Sequence, residues 1–138
     1  MVLKPLVRDK YDVVAIMDGD TCPAEEFITK GEATTEKLRE GLITMLRFVA
    51  ANGLDKTPAA WKHEANKQKK IYEFRKGRLR LFFFKGKDGQ IAVCTGGTLK
   101  DGKKSDPTCV SKASEWREEY MTAFDNGTLT LEPDDEAE

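Results

Sequence analysis

The sequence is poor in the residues that most often carry chemistry. It has one histidine, His63, and three cysteines, Cys22, Cys94 and Cys109, none of them spaced as a CxxC pair. An odd, scattered set of cysteines suggests neither a disulfide framework nor a zinc site. Each reads better as a small core or capping residue than as a nucleophile. A lone histidine without a carboxylate cluster of ligand spacing leaves a metal centre without candidates, so no metal or other cofactor is expected. No apolar run approaches the ~20 residues of a membrane-spanning helix, so no membrane partner is expected. The first ten residues place Lys4, Pro5, Arg8, Asp9 and Lys10 where a secretory leader needs an apolar stretch. A cytoplasmic address is the expectation.

What the chain does have is charge, unevenly placed. Charged residues make up 34% and hydrophobic ones 39% of 138 residues, a balance that reads as one globular domain. The net charge is only −1, yet residues 61–104 hold thirteen lysines and arginines against four acids, a local balance of +9. A concentrated basic stretch in a nearly neutral chain is the footprint of a polyanion partner, or else of a well-solvated lysine surface. Residues 126–138 end in Asp134-Asp135-Glu136-Ala137-Glu138 and read as an acidic, solvated tail. The domain proper is expected over 1–125.

Local patterns give the elements. Tyr11-Asp12-Val13-Val14-Ala15-Ile16-Met17 is a short β-rich run closed by Asp18-Gly19-Asp20. Pro23 followed by Glu25 and Glu26 starts a short helix, which Gly31 ends. From Glu32 to Asn52, Leu38, Leu42, Met45, Leu46 and Val49 recur at helical spacing, and Asn52-Gly53 stops the run. The two helices read as an αα-hairpin laid on a sheet, followed by a polar connection to about Gln68. Lys70–Arg75 and Arg78–Phe84 flank Lys76-Gly77 as a tight hairpin, and Gln90–Thr95 follows as a third strand. Residues 96–105 read as a glycine- and lysine-rich loop. Asp106 as N-cap with Pro107 behind it opens a last helix, whose apolar face carries Cys109, Ala113, Trp116 and Tyr120. The expected fold is α+β, a small and mostly antiparallel sheet in the order β-α-α-β-β-β-α.

Three segments carry a family resemblance. Ile71-Tyr72-Glu73-Phe74-Arg75 is similar to a strand ending in tyrosine, glutamate, an apolar residue and arginine. Leu79-Arg80-Leu81-Phe82-Phe83 is similar to the strand after it. The lysine-rich segment from Leu99 to Pro107 is similar to the approach to the last helix. Together, over roughly residues 10–124, they resemble the RelE/HigB toxins of bacterial and phage toxin–antitoxin systems. The lysine segment departs from that pattern in its spacing and in carrying Asp101.

The resemblance implies a metal-independent endoribonuclease that cleaves mRNA, commonly on the ribosome, and is held inactive by an antitoxin of helix-turn-helix type. In that chemistry a base takes the ribose 2′-OH proton, a cation stabilises the phosphorane and an acid protonates the leaving oxygen. Arg80 is the first candidate, as a rigid fork for a phosphate; its alternative is a cross-strand pair with Glu73. Glu73 is base or ion-pair partner. Arg75 is a weaker candidate of the same kind as Arg80. Arg78, Lys69, Lys70, Lys100, Lys103 and Lys104 are candidates for tracking RNA phosphates. His63 is bystander or minor base. Tyr72 is a stacking surface or half-buried packing. The competing class is a module of the same kind that binds RNA, ribosome or protein with its catalytic set eroded.

Overall fold

A computed structural model of the chain describes residues 1–100, 102 and 104–133. The strands are β1 (Val2–Arg8), β2 (Asp12–Ile16), β3 (Lys62–Asn66), β4 (Ile71–Lys76), β5 (Leu79–Phe84), β6 (Gln90–Leu99) and β7 (Thr130–Leu131). The helices are α1 (Pro23–Thr29), α2 (Glu36–Asn52) and α3 (Pro107–Asn126). All seven strands join one sheet in the order β3-β4-β5-β6-β2-β1-β7. The pairs β2–β6 and β1–β7 are parallel and the others antiparallel.

This corrects the expected small, mostly antiparallel sheet in the order β-α-α-β-β-β-α. The α+β class stands, but the sheet is larger and mixed. Each extra strand lacks a clear local signal. β1 contains Pro5, which cannot donate to the ladder, and its register shifts between Pro5 and Val7. β3 is the polar run Lys-His-Glu-Ala-Asn at an outer edge, where charge discourages further pairing. β7 has two residues and adds to β1 from within the segment expected to be a tail. Of that tail, residues 134–138 lie outside the described residues.

The sheet is covered on both faces. On one face α1 and α2 pack Ala24, Ile28, Leu42, Met45, Leu46 and Val49 onto Val13, Phe74, Leu81, Phe83 and Cys94. On the other, α3 packs Val110, Ala113, Trp116 and Tyr120 onto Val14, Ile71, Phe82, Phe84 and Val93. β5 is therefore buried throughout, and successive side chains enter opposite cores, as the two-residue repeat of a strand requires. The stacked rings of Phe74 and Phe83, with centroids 4.0 Å apart, lock β4 against β5.

The caps follow local chemistry. The Asp106 carboxylate accepts from the Cys109 N–H at 3.0 Å, which satisfies an orphan donor of α3. That bond, before any other influence, holds its carboxyl below the usual aspartate range. Gly127 ends the helix with φ +69°, in the left-handed region. Among the described residues, no helix is long and apolar enough to cross a membrane.

Candidate functional site

β4 and β5 place the three proposed catalytic side chains on one face. Alternation sets Ile71, Glu73 and Arg75 of β4, with Arg80 and Phe82 of β5, on the α3 side of the sheet. In the register Arg75 lies directly opposite Arg80, and Glu73 lies opposite Phe82. Two guanidiniums facing each other across a ladder repel, so this end of the hairpin needs a negative neighbour. Glu73 supplies it through an ion pair with Arg75, two residues along its own strand. The cross-strand Glu73–Arg80 pair, the alternative role for Arg80, is thus replaced in the register by an Arg75–Arg80 pair, with the carboxylate one step along the ladder.

Both principal candidates are enclosed. Glu73 is 0% exposed, and its Oε2 accepts from Ser105 Oγ at 3.2 Å. Arg80 is 8% exposed. Its Nη1 donates to the Gly77 carbonyl at 2.6 Å and the Leu79 carbonyl at 3.1 Å, and its Nη2 to the Gly102 carbonyl at 3.1 Å. The Lys100 N–H donates to the Arg78 carbonyl at 2.9 Å. The described residues between 99 and 106 therefore cross the turn end of the hairpin as a strap, tied through Lys100, Gly102 and Ser105. The side chains of Glu73 and Arg80 do what buried polar groups normally do, and satisfy backbone and hydroxyl partners. Ser105 and the Gly102 carbonyl carry no signal in the sequence, because they become partners only once the strap folds back.

The RNA-binding candidates divide between two ends of the sheet. Arg78 and Lys76 lie at the β4–β5 turn, where the strap brings Lys100 and Lys104. Lys69 and Lys70 lie in the β3–β4 turn, at the opposite end of the six-residue strand β4. At a rise of ~3.4 Å per residue the two groups stand about 17 Å apart along the strand. The described RNA-binding candidates thus lie at two ends rather than on one face. Lys103 and Asp101 fall outside the described residues. His63 pairs in register with Glu73 from β3, but its Nε2 lies 3.1 Å from the Ala60 carbonyl. Among the described residues, no three His, Cys, Asp or Glu side chains gather as a metal-holding group.

The cysteines are poor nucleophiles. Burial pushes the Cys22 and Cys94 thiols up. Burial, aided by the Asp106 carboxylate, pushes Cys109 up to about 11. A cavity of about 870 Å³ lies between α3 and the end of β2. Asp18, Glu115, Glu118 and Glu119 make its lining acidic, the wrong sign for a phosphate chain. A scan against protein-family models and a search of curated proteins find no match for this chain.

Proposed function

We propose that the protein is a binding module for RNA that holds its ligand without cutting it. The observation that carries this reading is the closure of Glu73 and Arg80. A general base must reach the proton it removes, to within about 3 Å or through one water. A fully buried carboxylate held by Arg75 and Ser105 has no such approach to a ribose. A phosphate fork must present free donors, and the Arg80 guanidinium serves three backbone carbonyls. The cations around this network, Lys76, Lys100 and Lys104, remain at the hairpin end as charge without catalytic geometry. Lysines so placed give affinity for phosphates that falls steeply with salt.

A second reading has its own support. The three residues proposed for catalysis, Arg80, Glu73 and Arg75, do meet at one end of one face, beside basic side chains. In that reading the protein is a RelE/HigB-like toxin, its strap lifts on the ribosome to expose the set, and an antitoxin of helix-turn-helix type covers the basic end.

One experiment separates the readings. The full chain is incubated with labelled unstructured RNA, alone and with translating ribosomes, and both retention and RNA ends are followed. Salt-sensitive retention with unchanged ends is the expected result. New ends that disappear in Glu73→Gln would transfer the conclusion to the toxin. Absence of any retention would overturn the binding module.

A further inference from the structure

The end of the sheet opposite the strap holds a groove that Glu73, Arg75 and Arg80 do not line. Two cavities adjoin there, of about 420 and 440 Å³, and both are lined by Leu54 and Lys85. The first also takes in Lys10, Tyr11 and Lys56, and the second His63, Tyr72 and Phe83. The floor is apolar, since Leu54 and Phe83 are buried in the α2-side core. The rim is cationic, since Lys10, Lys56 and Lys85 are exposed. The β3–β4 turn adds Lys67, Lys69 and Lys70 at the same end, and the β5–β6 turn adds Lys87. The acids on the lining, Asp55 and Glu64, are fewer than its lysines.

Two half-buried tyrosines interrupt the rim, one in each cavity. Tyr72 rests on Phe83 with ring centroids 5.6 Å apart and planes at 28°, and the Lys85 ammonium sits over the Tyr72 ring at 5.1 Å. Tyr11 is held at its backbone by the Ala50 carbonyl, and the Lys10 ammonium sits over its ring at 5.6 Å. Rings set in a packed wall, each beside a flexible ammonium, suit a polymer whose flat bases alternate with phosphates. A base can lie against the ring while the displaced lysine turns to the phosphate next to it. Aromatic platforms along a basic groove are how proteins hold unpaired strands. A duplex hides its base faces and cannot use them.

We infer that this groove binds single-stranded nucleic acid, with bases on Tyr11 and Tyr72 and phosphates on Lys10, Lys56 and Lys85. The inference rests on the reading of the protein as an RNA-binding module, and gives that module a site for unpaired bases away from the hairpin end.

The test is fluorescence anisotropy of the full chain with short labelled oligouridylate, the matching oligodeoxythymidylate, a duplex RNA, and uridine monophosphate as competitor. The variants are Tyr11→Leu, Tyr72→Leu and Tyr72→Phe, with Lys76→Gln/Lys104→Gln at the hairpin end. Each Tyr→Leu change is expected to weaken single-strand binding roughly tenfold, the loss of one stacked base, and to leave duplex binding unchanged. Tyr72→Phe is expected to bind as wild type does. Binding of the RNA or the DNA strand with this dependence supports the inference, and the tighter strand identifies the source. Wild-type affinity in both leucine variants overturns the inference; if Lys76→Gln/Lys104→Gln then lowers binding, the module itself survives. A duplex held as tightly as the single strand, or a monophosphate competing as well as the oligomer, also overturns it. Should Tyr72→Leu fail to fold, Tyr11→Leu and Lys85→Gln, both at the rim, carry the same comparison.

Discussion

Replacing Arg80 by alanine should unfasten the strap before it affects any ligand. The guanidinium donates to the carbonyls of Gly77, Leu79 and Gly102. Gly77 and Gly102 are exposed, so water can take over their bonds at little cost. The Leu79 bond is buried, and a hydrogen bond from a charged donor contributes about 1.5–3 kcal/mol. Loss of the packed arginine stem adds to this. We expect a total of about 2–3 kcal/mol, which for a domain of this size lowers Tm by about 10 °C. Urea unfolding followed by the fluorescence of Trp61 and Trp116 measures the first quantity. Hydrogen exchange over residues 99–106 measures whether the strap has loosened. Arg80→Lys should recover only part of the loss, because a single ammonium cannot span three carbonyls as a planar fork does. An Arg80→Ala protein within about 0.5 kcal/mol of wild type, the scatter of neutral surface changes, and with an unchanged exchange pattern, would refute the structural role assigned to this residue.

Further outcomes follow from individual residues. Gly41→Ala should stabilise α2 by up to about 1 kcal/mol, provided Lys76 Cε, 2.6 Å from the added methyl and near the movable end of its side chain, swings aside; a lower urea midpoint would contradict this. Asp106→Ala should cost about 1 kcal/mol through loss of the N-cap, and Asp106→Asn much less. Because the Asp106 carboxyl is held below its ordinary value, its contribution is fully present above the unfolded aspartate pKa and lost as pH falls through the folded one. The stability gap between wild type and Asp106→Asn should therefore change only in acid, as pH-dependent melting will show. Cys109, raised to about 11, should alkylate slowly at neutral pH and faster as pH approaches that value, while buried Cys22 and Cys94 stay unreactive in the folded protein; mass spectrometry of iodoacetamide-treated protein decides it.

What was legible in the sequence was whatever short-range physics determines. The helical spacing from Leu38 to Val49, the Asp106-Pro107 start of α3 and the Lys76-Gly77 turn each depend on a few neighbouring residues, and each element formed where its pattern lies. The period of two along Leu79-Arg80-Leu81-Phe82 puts Arg80 on the face opposite Leu79 and Leu81. Tertiary structure decided what that face would meet. Parallel pairing of β2 with β6 joins residues 12–15 to residues 90–94, and no local pattern in either segment names its partner. β1 and β3 are strands because neighbours complete their ladders, despite a proline in one and mostly polar residues in the other. The sign of the charge at residues 61–104 was plain, but the division of the described RNA-binding candidates between two ends depended on which turns the meander placed together. The burial of Glu73 and Arg80 depended on a strap returning from residues 99–106, a contact between segments some twenty to thirty residues apart that residue identity at either end does not encode.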